Sequence, residues 1–288
     1  MKDNKEHIKL KAIDRQSQAF FAGGTFRWKK SEAEVLAELN RQLDRKAAGR
    51  SFRLSRRWVA VAASLLLIVG LGSLLRFYAI SVDVSAGTHQ LVDLPDGSTV
   101  ELNAGSSLRY YPYWWSFKRI VTLDGEAFFE VQKGRSFVVR SLQGRTTVLG
   151  TSFNILARGS NYRVTCLSGR VGVRSRQRQK VVLMPGSQAV VQPDGKIEVR
   201  ENIETYPEIS WREHVFVFTE TPIQEVFEEI ERQYKVTIQS TIQAKILYTG
   251  NFTKEEDVEN ILEYVCPAVG LKYSRKSPTL YFITQANE

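Results

Sequence analysis

Trp58 to Leu75 reads WVAVAASLLLIVGLGSLL, 18 consecutive residues with no charge and with two serines as the only polar side chains. As a helix rising about 1.5 Å per residue it reaches roughly 27 Å, and Arg76, Phe77 and Tyr78 complete a hydrocarbon span at its headgroup edge. Trp58 and Tyr78 stand where interfacial aromatic side chains collect. A core helix of this length keeps a polar face, and this run has none. A cleavable signal peptide has a short leader, whereas 57 residues precede this run. The segment is therefore read as a single transmembrane helix over residues 58–78.

Charge orients it. Arg50, Arg53, Arg56 and Arg57 crowd the N-terminal flank, while Arg76 stands alone on the other side until Arg109. The excess of Lys and Arg marks the N-terminal side as cytoplasmic. The expectation is a single-pass inner-membrane protein with residues 1–57 in the cytoplasm and everything after Tyr78 in the periplasm. The whole chain of 288 residues carries a net charge of +9. Residues 1–57 hold 15 Lys and Arg against 7 Asp and Glu, and residues 79–288 hold 24 of each sign. The basic character thus belongs to the tail and its membrane flank, and no direct nucleic-acid partner is expected. A hydrophobic content of 43% excludes wholesale disorder, a mean hydropathy of −0.25 excludes a polytopic membrane protein, and two cysteines exclude a disulfide scaffold.

In the tail, Ser31-Glu32-Ala33-Glu34 is a capping box, and Val35, Leu36, Leu39 and Leu43 follow as one apolar stripe. The helix should run to about Ala48 before Gly49. A lone amphipathic helix of this length is marginal in water, so the stripe needs a cover. Trp28, Phe20 and Phe21 on a weaker preceding helix could supply it within the chain. A docking partner in the cytoplasm could do so equally well.

Beyond the span, Ser81 to Val199 shows short alternating runs: STVELN, KRIVTL, AFFEVQ, SFVVRS, TTVLGTSFNILA, YRVTCLSG, RVGVRS and QAVVQ. Pro95-Asp96-Gly97, Asp124-Gly125, Ser168-Gly169, Pro185-Gly186 and Pro193-Asp194-Gly195 punctuate them as turns. This pattern indicates an all-β sandwich, barrel or solenoid over residues 79–200. Tyr113, Trp114 and Trp115, with Tyr110 and Tyr111, form an aromatic cluster around Pro112. It is either a hairpin packed on the sheet or a ligand- or partner-binding patch. In RSRQRQK (Arg174 to Lys180) the basic residues alternate, which on a strand places them on one face, read as a solvated hairpin face in preference to a polyanion site.

After a linker at 201–212, residues 213–288 change period. Thr221-Pro222-Ile223-Gln224 reads as a helix start with Thr221 at the N-cap, and Ile223, Val226, Phe227, Ile230 and Tyr234 mark the buried face. Glu225, Glu228, Glu229 and Glu231 read as its wet face. Thr253 to Glu256 reads as a second capping box, followed by the stripe Val258, Ile261, Leu262 and Val265. With the runs HVFVFT, KVTIQS, ILYTGNFT, LKYSR and TLYFIT, the order is β-α-β-β-α-β-β, a small α+β domain.

No chemistry of catalysis or cofactor binding is legible. His7, His89 and His214 fall in no metal spacing, and no P-loop, G-x-S-x-G or G-x-G-x-x-G occurs. Neither enzyme activity nor a cofactor or metal is expected. Cys166 and Cys266 read as two separate buried thiols, with a disulfide between them as the alternative.

The series LPDGSTVELNAGSSLRYYP (Leu94 to Pro112), RIVTLDGEAFFEV (Arg119 to Val131) and VLGTSFNILA (Val148 to Ala157) resembles the FecR family of anti-sigma regulators. RVTCLSGRVGV and MPGSQAVV follow in the family's order. Residues 213–288 resemble the C-terminal domain that accompanies FecR domains in many Bacteroidota proteins. In topology they are also similar to the short N-terminal module of secretins and TonB-dependent receptors. The resemblance implies a membrane-anchored signal transducer. Its tail would bind an extracytoplasmic-function sigma factor through Trp28, Val35, Leu36, Leu39 and Leu43. Its periplasmic part would sense a TonB-dependent outer-membrane transporter, and release or proteolysis would free the sigma factor. Two readings from other classes stand beside it: a membrane-anchored envelope-assembly protein, and a carbohydrate-binding sensor that uses the aromatic cluster.

Overall fold

The computed structural model describes residues 30–47, 55–242, 245–254 and 257–286. Helix α1 spans Glu32–Ala47. Its capping box forms as expected: the Ser31 backbone N–H donates to Glu34 Oε2 at 2.9 Å, and the Glu34 N–H donates to Ser31 Oγ at 3.4 Å. Trp28, Phe20, Phe21 and the weaker preceding helix lie outside the described residues. Helix α2 spans Arg56–Phe77, 22 residues with a mean hydropathy of 2.3 across its apolar window and no buried residue. At about 1.5 Å per residue it is about 33 Å long, enough to cross a bilayer.

Thirteen strands follow, from β1 (Ile80–Asp83) to β13 (Ile197–Arg200). They form two sheets that share one strand. The 12-residue β5 (Arg119–Glu130) starts in the first sheet, where Arg119 to Asp124 pair with β4 (Ser107–Tyr110) and with the parallel β6 (Phe137–Arg140). It ends in the second, where Gly125 to Glu130 pair with β3 (Thr99–Leu102) and β8 (Ser152–Arg158). The first sheet continues through β7 (Gly144–Val148) and β10 (Val171–Ser175) to β11 (Lys180–Leu183), with β1 on β4. The second continues through β9 (Asn161–Cys166) and β12 (Ser187–Val191) to β13, with β2 (Gln90–Asp93) on β3.

KRIVTL and AFFEVQ are thus one strand, and Asp124-Gly125 is the bend between sheets instead of a turn. Gly125 takes φ +114°, and a Cβ there would lie 2.6 Å from the Ser106 Cα. The pleat explains the run Ala127-Phe128-Phe129. Ala127 and Phe129 point into the core between the sheets, with Leu102, Leu123, Phe137, Phe153 and Val164. Phe128 points the other way, into a second core. A strand buried on both faces reads as a continuous apolar run.

That second core belongs to the C-terminal module: β14 (Val215–Pro222), α3 (Ile223–Tyr234), β15 (Thr237–Ser240), β16 (Leu247–Thr253), α4 (Val258–Ala268), β17 (Leu271–Ser277) and β18 (Leu280–Gln285). β14 pairs with β16, while β18 lies between antiparallel β17 and parallel β15. Phe216, Phe218, Val226, Phe227, Ile230, Ile261, Leu262, Val265 and Tyr281 fill the core between the strands and the two helices. Cys166 is buried in the first core and Cys266 in the second, and both thiols are free.

Several local expectations are corrected. Thr221 and Pro222 still pair with β16, so Pro222 occupies the N-cap of α3, one residue later than expected. Thr253 pairs with Val215 as the last residue of β16, and α4 starts from Asp257. The strand claims both threonines before a helix can use them. Glu229 is not on a wet face: it is 8% exposed. RSRQRQK is a hairpin, as expected, but no single strand: Arg174 and Ser175 end β10, Lys180 starts the antiparallel β11, and the turn between them holds Arg178 at φ +72°.

Gly125→Ala should lower stability by about 2–4 kcal/mol, because the strained backbone and the clash with Ser106 act together. Gly159 also has positive φ (+52°), but open space surrounds its missing Cβ, so Gly159→Ala should cost about 1 kcal/mol. Urea midpoints of the detergent-solubilised chain check both; equal shifts would remove Gly125 as the pivot.

Candidate functional site

Three surfaces collect the residues that could carry function. The first is α1. Its capping box starts a 16-residue helix whose apolar side chains have no cover among the described residues: Val35, Leu36, Leu39 and Leu43 are between 41% and 55% exposed. They recur at three- and four-residue spacing and so line one face. The Lys30–Glu38 ion pair, at 3.6 Å, is exposed and adds little.

The second surface is the aromatic cluster, which the structure divides. Trp115 is 4% exposed and packs edge-on against Tyr110 and Phe137 in the core. Tyr113 is exposed, and Trp114 is half-buried and stacked on Phe117 at 4.6 Å. Tyr113, Trp114 and Trp115 therefore do not form one platform. Phe117 takes the place of Trp115 on the surface, a substitution that a count of aromatic residues around Pro112 does not reveal.

The third is a polar seam between the β module and the C-terminal module, which the sequence did not disclose. Glu126, buried on β5, accepts hydrogen bonds from Asn103 Nδ2 at 2.8 Å and Asn154 Nδ2 at 2.9 Å. Across the seam Gln233 Nε2 donates to Asn103 Oδ1 and to Glu229 Oε1, each at 2.8 Å. Arg232 Nη2 pairs with Glu229 at 2.9 Å. Arg158 donates to the carbonyls of Ala104 (2.7 Å) and Gly105 (3.0 Å). Arg212 pairs with Glu101 at 2.6 Å, and its guanidinium lies 3.9 Å over the Phe128 ring. Beside this network opens a cleft of about 450 Å³ lined by Arg158, Arg163, Arg200, Trp211, Glu225 and Glu229.

Burial pushes the Glu126 carboxyl above its ordinary value, and the nearby Glu229 charge adds to that. Burial also opposes ionisation of Glu229, but Arg232, Arg158 and Gln233 together hold it below the usual range. At one edge His89, from the β1–β2 loop, stacks on His214 at 4.8 Å and meets Trp211 edge-on at 5.3 Å. Burial, then the charges of His214 and Lys254, lower the His89 value below 6.5, against opposition from Gln233 and Glu101. Among the described residues no group of three or more His, Cys, Asp or Glu is placed to hold a metal. The seam offers buried polar register and no nucleophile poised against a base.

A histidine with a depressed folded value contributes its full stability above pH 6.5. That contribution is lost as pH falls from there through the folded value, because the unfolded chain takes up the proton first. His89→Phe keeps the stacking and removes the titration. It should therefore reduce the loss of stability between about pH 7.5 and about pH 5. Urea midpoints at the two values check this, and an unchanged difference would assign the loss to other groups.

A family model described as FecR protein matches residues 81–172, and one described as FecR, C-terminal matches residues 215–282. Asn103, Glu126, Asn154 and Arg158 fall in the first match and Glu229 and Gln233 in the second, so the two sides of the seam come one from each. Two crystal structures of a candidate anti-sigma factor from Parabacteroides distasonis ATCC 8503, at 2.50 Å and 1.65 Å resolution, have TM-scores of 0.67 and 0.66 to this chain. Both are 29% identical to it, and each comparison covers 72% of this chain and 99% of that one. No curated protein matches the chain. Matched in both modules and in overall fold, the chain belongs to the FecR family.

Proposed function

We propose that this chain is a membrane-anchored anti-sigma factor and signal transducer. The single observation that carries this reading is the stripe of α1, a folded and capped helix whose Val35, Leu36, Leu39 and Leu43 have no cover among the described residues. A second protein that buries those side chains gains roughly 25 cal/mol for each Å² of apolar surface removed from water. The likeness to a candidate anti-sigma factor names the class of partner as a sigma factor. We propose in particular an extracytoplasmic-function sigma factor, held on the cytoplasmic side by residues 1–57, with Trp28 beside the stripe.

In this reading α2, within residues 58–78, crosses the inner membrane with its arginine-rich end inside. Residues 79–200 and 213–288 then lie in the periplasm, joined by 201–212. There they respond to a TonB-dependent outer-membrane transporter. The role is regulatory: binding and release, with no reaction catalysed by the chain. The buried seam supports it, because polar networks that fix one module on another also make two arrangements discrete.

The test is co-purification of the full-length chain, in detergent, with the sigma factors encoded in the same genome. A stoichiometric complex is expected. Leu36→Glu with Leu39→Glu, both on exposed positions, should weaken it by about a hundredfold or more. Binding that survives the double substitution would remove the stripe as the contact, and a correctly inserted chain that captures no sigma factor would overturn the anti-sigma reading.

A further inference from the structure

We propose that the loop Pro112–Lys118 is a second membrane contact, whose exposed aromatic side chains sit in the headgroup layer of the bilayer that α2 crosses. The inference rests on the reading of α2 as a span.

The loop is rigid and anchored from below. Pro112–Trp114 form a 3-10 turn, closed by hydrogen bonds from Trp115 N to Pro112 O at 3.2 Å and from Phe117 N to Trp114 O at 3.0 Å. Trp115 ties its base into the core, and Arg135 donates to the Ser116 carbonyl. On this base Tyr113 is 59% and Phe117 66% exposed. Two large aromatic side chains are thus held out in water by a structure that could not easily withdraw them.

The loop also touches the end of α2. The Arg76 guanidinium lies 4.7 Å over the Trp114 ring, and Tyr78 meets Tyr113 at 5.4 Å between ring centroids. Arg76 and Tyr78 stand where the apolar helix leaves hydrocarbon, so Tyr113, Trp114 and Phe117 stand at that same level. The chemistry suits that layer: tyrosine, tryptophan and phenylalanine interleaved with Arg76, Lys118 and Arg135, and no carboxylate from Arg109 to Leu123. A soluble partner at this height would have to displace headgroups to reach the loop, which is why lipid is the occupant.

The test uses the full chain in phosphatidylcholine vesicles that contain nitroxide-labelled lipid. An environment-sensitive fluorophore is attached at Ser116→Cys, at Leu67→Cys within α2, or at Leu142→Cys. Burial raises the native Cys166 and Cys266 thiols to about 11 and about 12, which leaves the introduced cysteine as the reactive one. β5 and β6 run parallel away from the loop, and Leu142 follows the far end of β6, so it serves as the remote control. Loss of fluorescence at Ser116 by headgroup-proximal nitroxide, at Leu67 by deep nitroxide, and none at Leu142 is the expected result. Tyr113→Glu with Phe117→Glu should abolish the loss at Ser116 while leaving that at Leu67. Quenching at Leu67 with none at Ser116 would overturn the loop contact and leave the span standing. Quenching at neither would overturn both, and quenching at Ser116 that survives the two glutamates would overturn the aromatic assignment.

Discussion

The rest of the structure depends on how β5 passes from one sheet to the other at Gly125. Six residues of one strand serve the first sheet and six serve the second, so both sheets are built on the same backbone. The crossing brings Ser106 against the missing Cβ, and Ser106 Oγ accepts the Glu126 N–H at 2.9 Å and donates to the Glu126 carbonyl at 3.0 Å. The bend therefore sets not only the core between the sheets but also the position of Glu126, the buried carboxylate that the β module contributes to the seam.

From that point the pleat of β5 does two jobs. Phe129 fills the core behind the strand, while Glu126 and Phe128 face the C-terminal module. Phe128 gives the second module apolar contact, and Glu126 gives it register through Asn103 and Gln233. A buried ionic and amide network is weak as a source of stability, since desolvation offsets much of its attraction. Its value is discrimination: shifting α3 by one residue would break the Gln233–Asn103 hydrogen bond and carry Glu229 away from the Arg158 charge, at a cost that apolar packing alone would not impose.

What the sequence disclosed and what it hid divide along a physical line. Signals carried by neighbours in the chain were legible. The capping box at Ser31, the apolar run of α2 and the element order of the C-terminal module rest on spacing within one turn or one strand. Signals that depend on a second face were not. Asp124-Gly125 looks like a turn because nothing local says that the strand continues into another sheet. Glu229 looks wet because its neighbours Glu225 and Glu228 are acidic; Arg232 and Gln233 are its own helix neighbours, and only the β module packed over it, which brings Arg158 beside it, is not legible locally. The seam itself joins residues up to 130 positions apart, and each of them alone reads as an ordinary polar residue on a strand or helix. Trp115 and Phe117 show the same limit, since which aromatic is core is decided by the sheet beneath them.

One further consequence concerns slack. α2 ends at Phe77 and β1 begins at Ile80, so only Tyr78 and Ala79 lie between helix and sheet. Two fully extended residues reach about 7 Å, and Tyr78 is already engaged with Tyr113. A tether this short stores almost no play. Any tug on the β sheets arrives at the helix as tension, torque or tilt, in the manner of a crank fixed to its shaft, and the mechanical state of one end becomes available at the other without a loosely hinged joint to absorb it.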